Sequence, residues 1–320
     1  MLEVIGGLVA LGLGYQSLAS QWDRRRYPPI GRCLNGLHFQ LAGSASPTVI
    51  LDSGVGGSSL EWYKVLPGIA QFTQVVAYDR AGFGWSAPNS EPPTCAQNAN
   101  ALHALLQSAG IPGPYVLVGR ALAGLNMRYF AQAFRSETAG LVLLDAAHED
   151  QEEAILPVLK ASGDKDLALA RIVRWLTPFG LFRLAGQLGI VPRLHILENY
   201  PENIQAMGQA SIYRSCFVDT LYREFAAFGE SAKLIRKDRD LGDLPLVVVT
   251  AQRHLDARDF PADFPVEKCQ LTWESLQADL AKLSTNSVHH IWPSGHYIAV
   301  DQPEMLVAAI RTVVEQVRNT

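Results

Sequence analysis

A histidine, a carboxylate and a tight turn of small residues, each just past an apolar run, are the parts from which nucleophilic acyl-transfer chemistry is assembled. His296 stands in Trp292-Pro293-Ser294-Gly295-His296-Tyr297, after the last β-like run, where a loop can carry an imidazole base to the reacting group. Ser294-Gly295 gives that loop room. His289 and His290 lie inside the run and suit the role less well. Asp145 closes Leu141-Val142-Leu143-Leu144 and is the favoured carboxylate to orient the imidazole. The alternatives, Asp256 and Asp259, follow Thr250 by six and nine residues with no Gly-x-x-Asp turn leading to them. A structural histidine and solvated loop carboxylates are the plain alternatives for these positions.

The turn is Tyr115-Val116-Leu117-Val118-Gly119-Arg120-Ala121-Leu122-Ala123-Gly124, a strand entering a sharp corner and leaving as a helix. This is the form of a nucleophile elbow, which presents one side chain at its tip. Gly119 and Ala123 must be small because the chain passes close to itself there, and Gly124 lets the helix start against the sheet. The tip is Ala121, where a serine is called for. Either a serine has been replaced in an inactivated variant, or a natural protein has lost its chemistry and kept its pocket. An oxyanion next to the tip needs two fixed N–H donors. Leu122 supplies one, and Val55, in the glycine-rich loop Asp52-Ser53-Gly54-Val55-Gly56-Gly57, is assigned the other. No Lys-Ser/Thr tail follows that loop, so a phosphate cradle is disfavoured.

These residues need a sheet to hold them. Asn35-Gly36 marks a hairpin between Cys33-Leu34 and residues 37–41. Apolar runs recur at 48–51, 75–78, 115–118, 141–144, 246–250 and 288–291, with helical patterns at 59–72, 96–108, 122–134, 271–283 and 303–317. This alternation predicts an α/β fold: a mostly parallel sheet with an antiparallel N-terminal hairpin, helices on both faces, and a helical lid inserted after strand 6. No G-x-G-x-x-G follows the first strand, which argues against a Rossmann fold. The expected organisation is an apolar N-terminal segment and basic linker at 1–31, a core at 32–147 and 244–320, and a lid at 148–243. The lid region is rich in aromatic residues. Its stretch 167–188, apolar on most sides but carrying Arg171, Arg174 and Arg183, suits a greasy substrate tunnel, a membrane surface or an ordinary helical cap.

At 320 residues with 48% hydrophobic and 18% charged side chains, the chain is long and apolar enough for one large core. A net charge of -4 gives no basic face for nucleic acid. Cys33, Cys95, Cys216 and Cys269 are scattered and form no C-x-x-C pair, so no metal site and no disulfide framework is expected. Val4 to Ala19 is an apolar run with Glu3 before it and Arg24-Arg25-Arg26 after it, the reverse of a secretory signal. With Trp22 and Tyr27 it reads as a membrane anchor leaving the chain on the cytoplasmic side, or as a helix packed on the protein's own surface or on a partner, since it is short for a full span.

Taken together these motifs resemble those of the α/β-hydrolase superfamily over most of the chain outside the N-terminal 30 residues and the lid. Gly119-Arg120-Ala121-Leu122-Ala123-Gly124 is similar to the family's G-H-S-x-G-G. Asp79-Arg80-Ala81-Gly82-Phe83-Gly84-Trp85-Ser86 resembles its D-R-x-G-x-G-x-S turn, and Gly295-His296 with Asp301-Gln302-Pro303 its terminal block. The resemblance implies a serine ester hydrolase working through an acyl-enzyme with His296 and Asp145, without a cofactor. A lipophilic ester is the expected partner, on account of the aromatic lid and apolar N-terminus. Two departures stand out. Arg120 replaces the usual histidine, and Ala121 removes the nucleophile, so the sequence as written is expected not to turn over. Two alternatives remain open: an inactive ligand-binding protein on this fold, or an epoxide hydrolase or dehalogenase type whose aspartate nucleophile has been substituted.

Overall fold

The computed structural model describes residues 2–155, 167–190, 200–255, 260, 262 and 264–319. Eight strands form one sheet: β1 (Arg32–Leu34), β2 (Leu37–Ala42), β3 (Thr48–Asp52), β4 (Gln74–Tyr78), β5 (Tyr115–Arg120), β6 (Thr138–Leu144), β7 (Leu246–Arg253) and β8 (Ser287–Gly295). Their order is β1-β2-β4-β3-β5-β6-β7-β8. The β1-β2 and β2-β4 pairs are antiparallel, and every pair from β4-β3 to β7-β8 is parallel. The mostly parallel sheet with an antiparallel N-terminal hairpin expected from the sequence is therefore the observed one.

Alternation along the strands explains why both faces are covered. Ile50, Leu117, Leu143 and Val248 face one core, completed by helices Cys95–Ser108 and Ala123–Ala133. Val49, Val118, Leu144 and Val249 face the other, closed by Trp62, Ile69 and helix Pro303–Arg318. Two strands run further than their sequence pattern suggests. β8 continues through Trp292-Pro293-Ser294-Gly295, with Trp292 and Ser294 buried and Pro293 exposed. It is an edge strand, where a proline costs no ladder bond. β7 continues to Arg253, past the apolar run.

The region 59–72 is less regular than its pattern implies, a 3-10 turn at Ser59–Trp62 followed by a short helix at Leu66–Ile69. Pro67 opens that helix and Gly68 follows it. Between β6 and β7 the described residues hold helices and no strand, among them 167–176, Leu181–Gln187, Glu202–Ile212, Phe217–Ala226 and Phe228–Arg236. Residues 4–19 belong to a longer helix, Leu2–Arg26. Among the described residues no helix is long and apolar enough to cross a membrane.

The Asp79-to-Ser86 turn is built around a buried carboxylate. Asp79 accepts hydrogen bonds from the Ser59 and Trp85 amides at 2.6 and 2.9 Å and pairs with His38 at 2.8 Å. Gly84 has φ +48°, and a Cβ there would lie 2.0 Å from Asp79 Oδ2, so only glycine fits. Arg80, 3% exposed, reaches from this turn to Asp52 and to Glu224 of helix Phe217–Ala226, both at 2.6 Å. Burial alone would lower its pKa, but Glu224 and Asp52 outweigh that and raise it, which keeps the guanidinium charged. Glu224→Ala leaves this buried cation short of a partner and is expected to destabilise the protein by about 3–5 kcal/mol. Chemical denaturation reads this directly, and a loss under about 1 kcal/mol, the size of an exposed pair, would contradict it.

Candidate active site

The residues of interest gather at the carboxyl ends of neighbouring parallel strands, where α/β sheets place their sites. Ala121 is the first residue after β5, Asp145 after β6, and His296 after β8. At the tip, Ala121 takes φ +49°, the left-handed region that a non-glycine residue occupies at a cost. The corner is held by hydrogen bonds from the Ala121 amide to the Leu144 carbonyl at 3.1 Å and from the Ala147 amide to the Ala121 carbonyl at 2.8 Å. A Cβ on Gly119 would sit 2.7 Å from the Ala123 carbonyl oxygen, and one on Gly124 would sit 2.6 Å from Ala146 Cβ. Both glycines are thus fixed by close approach.

Asp145 is fully buried and itself has φ +44°. Its Oδ2 is 2.6 Å from His296 Nδ1. The same oxygen is 2.6 Å from Nδ1 of His254, the first residue after β7. Oδ1 accepts from Trp273 Nε1 at 2.6 Å and from the Ala251 amide at 3.1 Å. Burial by itself would raise the Asp145 pKa, but His254 and His296 outweigh it and hold the carboxyl well below the usual carboxylate range. With both Nδ1 atoms facing the carboxylate, each imidazole keeps Nε2 as its free basic nitrogen. His296 is pulled below the ordinary histidine pKa, chiefly by burial and against the pull of Asp145. It is therefore neutral at pH 7.

His254 was not legible as a site residue. Its imidazole stacks on Trp273, with centroids 3.8 Å apart, and meets His296 edge-on at 4.9 Å. The usable signal was its place just past a parallel strand, hidden because the apolar pattern of β7 stops at Thr250. Asp256 and Asp259 lie outside the described residues. His289 bonds Thr250 Oγ1 at 2.7 Å, on the strand and not at its end. Asp145, His254 and His296 offer ligand atoms within 4.8 Å of one another, the donor types of a two-histidine, one-carboxylate metal centre. Their hydrogen bonds already account for that clustering.

The loop that carries Val55 and the turn that carries Leu122 lie side by side. Asp52 pairs with Gly119 in the β3-β5 register, so the loop after β3 runs beside the turn. Arg80 donates to the carbonyls of Ser53 and of Gly54, the latter at 2.8 Å. In a trans peptide the N–H opposes the C=O, so the Val55 amide, which shares its peptide with the Gly54 carbonyl, points away from Arg80. Leu122 opens helix Ala123–Ala133, where N–H groups lack intrahelical partners and the dipole favours negative charge. Val55 and Leu122 pack in one apolar cluster with Phe228 and Ala232 of helix Phe228–Arg236.

Arg120, in place of the usual histidine, pairs with the buried Glu61 through two hydrogen bonds, that of Nη2 at 3.0 Å. Its guanidinium lies 4.7 Å from the ring centroid of Tyr297. The neighbour of Ala121 thus buttresses the neighbour of His296. Tyr200, between β6 and β7, is buried, its ring 5.2 Å from that of Tyr63. Burial, with the Glu61 carboxylate adding to it, raises the Tyr200 pKa above the ordinary tyrosine value, which makes the hydroxyl a weaker acid.

A family model described as alpha/beta hydrolase fold matches residues 47–186. A thermophilic esterase from Thermogutta terrifontis superposes with a TM-score of 0.62 at 24% identity, covering 88% of this chain and 93% of that one. A putative epoxide hydrolase from Pseudomonas aeruginosa gives 0.64 at 16%, with the same coverage. In sequence, the putative carbamate hydrolase RutD of Escherichia coli is 42% identical over 81 residues, 25% of this chain and 30% of that protein. Three further curated relatives are matched over 22 to 52% of their lengths, so the chain spans at most about half of any of these four relatives.

Proposed function

For a chain with the α/β-hydrolase fold, we propose the site of a serine carboxylic-ester hydrolase whose nucleophile position is held by Ala121, so that a lipophilic ester is bound and not cleaved. The observation that carries this reading is the 2.6 Å pair of His296 and Asp145 at the strand ends beside an elbow whose tip keeps φ +49°. In the active form a serine at 121 attacks the ester carbonyl as His296 Nε2 takes its proton. The Val55 and Leu122 amides receive the oxyanion, and the protonated imidazole returns the proton to the leaving alcohol. Water, deprotonated by the same nitrogen, then splits the acyl-enzyme.

A second reading takes Ala121 as the place of a lost aspartate, as in enzymes that open epoxides. One observation favours it: the Tyr63 and Tyr200 rings, 5.2 Å apart, supply phenol hydroxyls, the type of group that protonates an opening epoxide. Two variants separate the readings. Ala121→Ser is expected to react with a fluorophosphonate probe and to hydrolyse p-nitrophenyl esters, with longer acyl chains preferred. Ala121→Asp that opens styrene oxide, beside a folded and inert Ala121→Ser, would instead support the epoxide reading. Failure of both, with the parent chain binding fatty esters in a calorimeter, would leave a binding protein.

A further inference from the structure

The N-terminal helix Leu2–Arg26 leaves its large apolar side chains exposed, the reverse of a helix that helps build a core. The stripe it turns to the protein is small and polar. A Cβ on Gly12 would meet the Phe179 carbonyl oxygen at 2.7 Å. Gln16, 4% exposed, donates to the Tyr213 carbonyl at 2.7 Å and accepts from Arg183 at 3.1 Å. Asp23 pairs with Arg183 at 2.7 Å. The stripe it turns outward is Val4, Leu8, Leu11, Leu18 and Trp22, at intervals of four, three, seven and four residues, each between 58 and 72% exposed. Burial of apolar area drives packing, so a helix oriented this way is held by polar bonds while its apolar stripe has no partner within the described protein.

The lid continues that surface. Eight of the exposed large apolar side chains lie on this helix and eight more within 169–190, against seven on the rest of the described chain. Residues 167–190 hold no acid; of their three arginines, Arg183 is buried against Asp23 and Arg174 pairs with Asp219, which leaves Arg171 exposed on the surface. The helix ends in Arg24, Arg25 and Arg26, all exposed, with the Arg26 guanidinium 5.2 Å from the Trp22 ring centroid and 5.7 Å from that of Tyr27. In a chain of net charge -4 this is a local basic collar with aromatic rings beside it, the composition of a membrane interface.

We infer that the outward face of helix Leu2–Arg26 and the lid segment 167–190 together dock on an anionic lipid bilayer, inserting from one side without crossing it. A second copy of the chain would cover one stripe of the helix. Residues 3–11 are exposed on every side, which calls for a surrounding apolar medium. The 16-residue apolar run extends about 24 Å at 1.5 Å per residue, short of a hydrocarbon core of about 30 Å. Docking this way rests the lid on the bilayer. Its inner side packs Val173 and Phe182 on Phe217 and Leu221, and those two side chains approach Gly56 of the oxyanion loop. The inference does not depend on the ester-hydrolase reading, since it concerns a surface and not the pocket's chemistry.

The test is flotation of the full chain with vesicles of phosphatidylcholine, alone or mixed with phosphatidylserine, together with its oligomeric state by light scattering without lipid. The expected result is flotation with the anionic vesicles, loss of flotation in Leu11→Glu/Leu18→Glu/Trp22→Glu, and partition weaker by about 100-fold in Arg24→Gln/Arg25→Gln/Arg26→Gln. Unchanged melting temperatures show that each variant is folded. A chain that stays at the bottom with both vesicle types, or a triple-glutamate variant that floats like the parent, overturns the inference. A lipid-free dimer that the glutamates convert to monomer, without flotation of the parent, assigns the face to a second copy.

Discussion

Ala121→Ser is expected to raise ester hydrolysis on the order of 10⁶-fold over the parent chain, the span by which a serine nucleophile exceeds its absence in comparable sites. The gain requires little rearrangement. The corner already holds φ +49° at this residue, so the serine Oγ emerges from a Cβ whose direction the backbone has set. His296 is bonded through Nδ1 and offers Nε2. Because burial draws its pKa below the ordinary 6.5, the imidazole is the free base across neutral pH. The sign follows: a base must be unprotonated, so kcat/KM should be level above pH 7 and fall as pH drops through a midpoint under 6.5. A midpoint well above 6.5 would mean that another group, or a differently placed imidazole, limits the reaction.

Asp145→Asn in that serine background should lower kcat by about 10⁴-fold, with KM little changed. Each carboxylate oxygen accepts two donors: Trp273 and the Ala251 amide on one, the two imidazoles on the other. An asparagine must turn its NH₂ toward one of those pairs, donor against donor. If it faces the histidines, His296 loses its anchored tautomer; if it faces Trp273, a buried bond is lost and stability falls. Single-turnover acylation separates the two, since a merely destabilised variant acylates normally below its melting temperature. Acylation in the folded variant as fast as in Ala121→Ser alone would remove Asp145 from the mechanism and turn attention to residues 256–259.

The sheet was legible because its central strands are covered on both faces: Val49, Ile50 and Leu51 face opposite cores in turn, so the strand reads as a continuous apolar run. The elbow was legible for a different reason, since close chain approach restricts Gly119, Ala123 and Gly124 to small residues whatever the family. His254 was not, because Gln252-Arg253 is polar and the pattern fades before the strand does. Nor were Glu61 and Glu224, whose roles rest on partners 59 and 144 residues away in sequence, at Arg120 and Arg80, nor Tyr200, which packs on the distant Tyr63. A charged residue that is buried only because a distant opposite charge meets it leaves no local trace. The same holds for helix Leu2–Arg26. Its apolar run was plain, but which stripe faces the protein depends on Arg183 and Tyr213.

Arg80 joins two things usually described apart. Its guanidinium holds Glu224 of helix Phe217–Ala226 with one edge, and Asp52 and the carbonyls of the loop after β3 with the rest. Swinging that helix outward would leave Asp52 to balance the buried cation by itself and loosen the peptide shared by Gly54 and Val55. The helix and the loop are thus coupled through one side chain, and an engineered change of pocket size on this side would be felt first in the geometry of that loop.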